Sequence, residues 1–226
     1  MKHIVVLTGA GMSAESGIKT FRDANGLWEG HDVMEVATPQ GFAANPELVL
    51  DFYNQRRRQL FEVEPNQAHK DLAELENDYK VTIVTQNVDD LHERAGSKNV
   101  VHLHGELLKV RSTIYPNDIQ TWKTDLVLGD VCNKGHQLRP HIVWFGEDVP
   151  MIEKAVEICE TADFLIIIGT SMNVYPAAGL MHYVPEKTPT YFIDPKPNIA
   201  SKENLTVISE TATVGVKKMI EILSAF

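Results

Sequence analysis

Cysteine is scarce in this 226-residue chain, which has only Cys132 and Cys159. Two thiols make no disulfide framework and fit a reducing compartment. Long apolar runs are missing too. None approaches the roughly 18 residues a membrane helix needs, and the opening "MKHIVVLTGAGMSA" breaks into glycines too early for a signal peptide, so it reads as a first buried strand. Basic residues are outnumbered, 21 against 31 acidic, for a net charge of −10. That balance argues against a nucleic-acid-binding surface, although it would attract a cationic peptide. The expectation is a cytoplasmic protein with no membrane or nucleic-acid partner, of open oligomeric state.

What is present is a series of short β-branched runs: "HIVVLTGAG" (3–11), "KVTIVTQN" (80–87), "NVVHLHG" (99–105), "FLIIIGTS" (164–171), "PTYFIDP" (189–195) and "LTVISE" (205–210). Continuous rather than alternating apolar residues indicate strands covered on both faces, hence a parallel sheet. Helical patterns lie at 46–63, 66–78, 152–163 and 211–226. The fold class is α/β: a Rossmann-like, doubly wound parallel sheet with a small inserted lobe. The expected large lobe is approximately 1–22, 66–105 and 148–226, and the small lobe approximately 23–65 and 106–147. The passage 106–147 reads as irregular and polar-rich. Each run ends in a polar cluster, and ligands of such sheets bind beyond the carboxyl ends of the strands, so these clusters should meet in one crevice.

The run "DFYNQRRRQL" (51–60) is out of keeping with an acidic chain. Wound as a helix, it puts Val49, Phe52, Tyr53 and Leu60 on one stripe with Arg56 in the middle, Arg57 at the flank and Arg58 opposite. No acidic residue lies three or four positions from Arg56, so its partner must come from elsewhere. Arg57 and Arg58 are expected to be solvated.

"GAGMSA" after the first strand is G-x-G-x-x-A, a weak dinucleotide signal on its own. The acidic residue a dehydrogenase places about 20 positions later is replaced by the polar loop "SGIKTFRDANGLW", which disfavours hydride transfer. "GAGMSAESGIKTFRDANGLW" (9–28), "TQNVDDLHERAG" (85–96), "HLHGE" (102–106), "HIVWFGE" (141–147) and "GTSMNVYPAA" (169–178) resemble, in order, the signatures of the sirtuins. These are NAD-dependent protein lysine deacylases. The resemblance implies NAD as cofactor and an acylated lysine in a protein or peptide as substrate. It implies release of nicotinamide and O-acyl-ADP-ribose. His104 is implied as the general base, a task suited to imidazole near neutral pH, with Asn87 also catalytic. Gly9, Ala10 and Gly11 would cradle the pyrophosphate, and Asn87 and Asp89, with Gln86 beside them, would hold the nicotinamide and ribose. Phe21 would shield the reacting carbon, Arg22 would orient phosphates, and Gly169, Thr170 and Ser171 would hold the adenosine. Glu15, Thr20, Trp28, Asp194 and Ala212 complete the implied cofactor set. Val143, Phe145, Gly146 and Glu147 match the segment that pairs with substrate peptide as an added strand. Tyr53 and Arg56 match the Tyr-x-x-Arg pair of the bacterial branch that removes acidic as well as acetyl groups, so desuccinylation and demalonylation are implied beside deacetylation.

The pattern is broken in two places. Sirtuins usually carry two pairs of cysteines for structural zinc. Here Ser112 stands at the first expected cysteine and Gly135 in place of the partner of Cys132, so no zinc is expected. Packing of Ile114, Tyr115, Trp122, Leu126, Val127 and Leu128 is expected to hold the lobe instead. Asp194 stands where the family commonly has asparagine. His102, on the same strand face as His104, invites a metal reading, but no acidic or cysteine ligand stands at metal spacing. Two other readings remain open: a sirtuin-like enzyme that transfers ADP-ribose or hydrolyses NAD, and a non-catalytic NAD sensor, against which the intact His104, Asn87 and Asp89 argue.

Overall fold

The computed structural model describes residues 1–19, 28, 30–172 and 174–223. The expectations for Thr20, Phe21 and Arg22 therefore lie outside the described residues. Six strands form one parallel sheet: β1 (His3–Thr8), β2 (Lys80–Thr85), β3 (Val100–His102), β7 (Phe164–Ile168), β8 (Thr190–Ile193) and β9 (Leu205–Ile208). Three more, β4 (Gly105–Ser112), β5 (Ile119–Thr121) and β6 (Leu138–Ile142), form a smaller antiparallel sheet in the order β5-β4-β6.

The order of the larger sheet is β3-β2-β1-β7-β8-β9. The chain moves outward from β1 to β3 and then returns to the other side of β1, so the winding reverses between β1 and β7. A crevice opens at such a point because the connections leave it in opposite directions.

The helices are α1 (Val33–Val36), α2 (Pro39–Ala44), α3 (Pro46–Leu60), α4 (Gln67–Glu74), α5 (Leu91–Ala95), α6 (Ile152–Cys159) and α7 (Ala212–Leu223). They explain the unbroken apolar strands. Along β1, Ile4 and Val6 pack with Ala68 and Leu72 of α4 and Val216 and Met219 of α7, while Val5 and Leu7 pack with Ala155 and Cys159 of α6. Both faces are dry, so alternation has nothing to select for.

The passage 106–147 is not irregular, because it carries the smaller sheet. Its strands escaped notice because "GELLKVRS" mixes apolar residues with Lys109 and Arg111, and "LRPHI" contains Pro140. Nor is this sheet held by the apolar residues proposed for it. Ile114, Val127 and Leu128 are 58, 54 and 46% exposed and Tyr115 is 38% exposed. Only Leu126, fully buried, and Trp122, partly buried, join the local core with Leu50, Val110, Cys132 and Leu138. Side-chain polar links do more. Arg57 is 1% exposed, not solvated: Nε donates to the Leu107 carbonyl (3.2 Å) and NH1 to Asn54 Oδ1 (2.6 Å). Asn54 in turn accepts from the Leu126 N–H and donates to its carbonyl, both at 2.9 Å. The helical-wheel flank placed Arg57 correctly, but a second layer covers that flank. Arg58 is exposed, as expected, beside Asp51 and Asp125.

Candidate active site

The carboxyl ends of the parallel strands bring the polar clusters together. The Gly9 N–H donates to the Ile168 carbonyl (3.0 Å) and the Gly11 N–H to the Gly169 carbonyl (2.8 Å), which closes the loop after β1 against the loop after β7. Gly169 has φ +61°, and a Cβ there would lie 2.4 Å from the Gly11 carbonyl carbon, so no side chain fits between the two turns. Gln86 joins them: its N–H donates to the Thr8 carbonyl (2.9 Å) and its Nε2 to Thr170 Oγ1 (3.2 Å).

Asn87 and Asp89 are 8 and 7% exposed. Asn87 Nδ2 donates to the Gly9 carbonyl (3.1 Å) and to Ser13 Oγ (3.2 Å), and Ser13 Oγ donates to Asp89 Oδ2 (2.9 Å). Burial pushes the Asp89 carboxyl above its ordinary value, against the donors Leu91 N–H and Ser13 and the nearby His102. Sequence reasoning missed Ser13; the signal was its place inside the G-x-G-x-x-A loop.

His104 follows β3, half-buried. Its Nδ1 donates to the Gln86 carbonyl (3.1 Å), which leaves Nε2 as the basic nitrogen. Burial lowers its pKa, so the imidazole is neutral and ready to accept a proton. Gly105, at φ +83°, turns the chain directly into β4; a Cβ there would sit 2.0 Å from the His141 carbonyl oxygen. The His104 carbonyl accepts from the Val143 N–H (2.9 Å), which binds the 143–147 segment to the base.

Other expected residues are placed less simply. Glu15 accepts from the Thr213 N–H (2.9 Å) and from the Thr211 and Thr213 hydroxyls, so its carboxylate tethers the start of α7 and Ala212. Asp194 is buried after β8 and accepts from the Lys196 N–H (2.8 Å). Ser171 is half-buried in the loop after β7. In the 143–147 segment, Phe145 is 48% exposed, and Gly146 has φ +88°. The N–H groups of Val143, Trp144, Phe145 and Glu147 all donate within the chain. The Glu147 carboxylate is taken up by Arg139 (2.6 and 3.0 Å), Arg111 (3.1 Å) and the Trp144 N–H (2.8 Å).

Arg56 and Tyr53 do not behave as one unit. Arg56 borders a cavity with Trp28, Leu60, Val88, Asp89 and Leu107, while its guanidinium stacks 3.8 Å from the centre of the Phe52 ring. Tyr53 is fully buried and is not among the residues lining that cavity. Its hydroxyl accepts from Trp144 Nε1 (2.9 Å), and burial raises its pKa.

Ser112 and Cys132 meet, with Sγ 3.5 Å from Oγ, and no group of three or more His, Cys, Asp or Glu among the described residues could hold a metal ion. His102 does have a carboxylate beside it, Glu93 at 2.7 Å, in the first turn of α5 and invisible to spacing along a strand. No helix among the described residues is long and apolar enough to cross a membrane.

Residues 9–176 match the pattern of the Sir2 family. An NAD-dependent protein deacylase of Helicobacter pylori (strain ATCC 700392 / 26695) is 58% identical over 229 residues, 99% of this chain and 100% of that protein. A protein of the same description from Bacteroides thetaiotaomicron is 54% identical, over 99% of this chain and 98% of its own length. Among solved structures, a complex of a Sir2 homologue with NAD is 40% identical with a TM-score of 0.88, covering 99% of this chain and 90% of that one. A Sir2 protein bound to a propionylated peptide is 27% identical with a TM-score of 0.79, covering 99 and 94%.

Proposed function

The chain belongs to the Sir2 family, and on that premise we propose that it removes acyl groups from protein lysines at the expense of NAD, with acidic acyl groups as well as acetyl among its substrates. The reversal point between β1 and β7, where Gly9 and Gly11 pack against Gly169, fits a dinucleotide: backbone approaches backbone there without a Cβ to keep a pyrophosphate away. When bound, the dinucleotide supplies an activated ribose carbon and nicotinamide as its leaving group, and the acyl group ends on ADP-ribose.

The chain's own residues then divide the work. Asn87 and Asp89 hold the nicotinamide end, pinned by Ser13 and Gly9. His104 accepts a ribose hydroxyl proton at Nε2, because Nδ1 is committed to the Gln86 carbonyl. The 143–147 segment carries the peptide, and Arg56 meets the distal carboxylate of a succinyl or malonyl group, which a guanidinium can pair with bidentately. The observation that carries this reading is the cavity bordered by both Arg56 and Asp89, which joins an acyl-recognising cation to the cofactor end of the site.

A panel of acetyl-, succinyl- and malonyl-lysine peptides, with nicotinamide release as readout, tests it. His104→Ala should lower turnover by at least about 100-fold on all of them. Arg56→Met should lose desuccinylation by about 2–4 kcal/mol of transition-state binding while acetyl-lysine turnover changes far less. An equal loss on both peptides would make Arg56 a structural residue.

A further inference from the structure

His102 and Glu93 have no part in the reaction as set out above, yet they are built into its centre. His102 lies two residues before His104 on the same face of the chain. Its Nδ1 lies 3.0 Å from the Asn87 carbonyl oxygen and its Nε2 2.7 Å from Glu93 Oε1. A carbonyl and a carboxylate can only accept. Both ring nitrogens must therefore carry protons, and the side chain is an imidazolium. Burial opposes that charge, but the hydrogen bond and charge of Glu93 outweigh it and raise the His102 pKa, while the Glu93 carboxyl is held below its ordinary value against its own burial. The other charges facing the ring are Glu106 and Asp89, with neutral His92 nearby.

The two histidines thus hold consecutive carbonyls of one turn, Gln86 by His104 and Asn87 by His102. One has no carboxylate behind it and is neutral; the other has one and is charged. We propose that His102 and Glu93 form a charged positioning pair that fixes the Asn87–Asp89 turn for the nicotinamide-ribose end of the dinucleotide. Neither residue touches the reacting atoms. The proposal rests on the reading that Asn87 and Asp89 hold that end of NAD.

The test is steady-state kinetics with NAD and acyl peptide varied separately. His102→Leu removes the hold on the Asn87 carbonyl and should raise the KM for NAD about tenfold or more, with kcat and the peptide KM within about threefold. Glu93→Gln keeps the hydrogen bonds, since an amide can donate to a neutral Nε2, but removes the support for the charge. A neutral imidazole holds the Asn87 carbonyl less strongly than an imidazolium, so the variant's KM for NAD should rise about threefold, between wild type and His102→Leu, with kcat again little changed. Asp89→Asn separates the two levels of inference. If it leaves the KM for NAD unchanged, the placement of the cofactor is wrong. If it raises that KM while folded His102→Leu and Glu93→Gln do not, the placement stands and the positioning pair is overturned. Should His102→Leu fail to fold, the KM for NAD of Glu93→Gln decides alone.

Discussion

Away from the candidate site, the two sheets of this molecule bury ionisable groups differently. Beneath the six-stranded sheet a pair of buried histidines is kept neutral. His69 and His92 meet edge to face, ring centres 4.8 Å apart, fully buried or nearly so, and burial holds the His69 pKa to about 4 and that of His92 well below its ordinary value. Around the three-stranded sheet the buried arginines stay charged. Arg139 and Arg111 share Glu147, Arg139 lies 3.3 Å from the Trp144 ring centre, and Arg57 is buried with neutral partners. The larger sheet has enough apolar area from its two helical layers to hold itself together. The smaller one has little, so polar geometry specifies it.

The largest effect that tests this contrast is expected from Glu147→Ala. Two nearly buried guanidiniums would lose their only carboxylate partner among the described residues. Breaking a buried pair on one side costs about 3 kcal/mol or more, because the orphaned charge remains. Chemical denaturation should show that loss. The double variant Glu147→Ala with Arg139→Met should recover part of it, and no recovery would mean that Glu147 acts by packing rather than by charge.

The same contrast explains what could be read from the sequence. All six parallel strands and α3, α4, α6 and α7 were legible, because dry strands and amphipathic helices announce themselves through apolar periodicity. So were the strand-end residues Gly9, Asn87, His104 and Gly169, since topology alone carries strand ends to one crevice. The smaller sheet was not, because Lys109, Arg111, Arg139 and Pro140 interrupt the apolar pattern of its strands. Arg57 was misjudged because a helical wheel says where a side chain points, not what else folds over it. The Glu93 partner of His102 was hidden because it comes from a helix that packs across the strand.

A pH titration of stability probes the larger sheet next. Among the described residues neither ring nitrogen of His69 has a hydrogen-bond partner, and His92 has one only at Nε2, which donates to Thr8 Oγ1. Their folded pKa values lie below that of an unfolded histidine, so the unfolded chain binds more protons at mildly acid pH. Stability is then complete above about pH 6.5 and is lost as pH falls toward 4, at about 1.4 kcal/mol per pH unit for each group. His141 of the smaller sheet, pushed to about 4 by burial and by Arg111, adds a similar dependence. His69→Leu should therefore flatten the profile between pH 6.5 and 5 by about one proton without abolishing it. An unchanged slope would show that the pair takes up no proton on unfolding.

The smallest effect is expected where the difference between the regions is least intuitive, at Arg57. It is the largest fully buried side chain described, and burial lowers its pKa to about 10, with the Asp125 charge acting the other way. Unlike Arg139 it touches no carboxylate among the described residues, and its NH2 nitrogen has no hydrogen-bond partner among them. Arg57→Met therefore removes a desolvated charge along with two hydrogen bonds. The Leu107 carbonyl loses a donor, at a cost of about 1–3 kcal/mol. Release of the guanidinium's desolvation penalty offsets most of that, as replacement of buried ions by apolar residues of similar volume commonly does. Asn54 keeps its two bonds to Leu126, so the tie between α3 and the smaller sheet survives. The net change should be within about 1 kcal/mol, against roughly 3 for Glu147→Ala. Asn54→Ala in the same assay should cost more than Arg57→Met, because it frees both Leu126 groups and the guanidinium at once. If Arg57→Met proves the costlier of the two, the arginine rather than the asparagine holds the smaller sheet to α3.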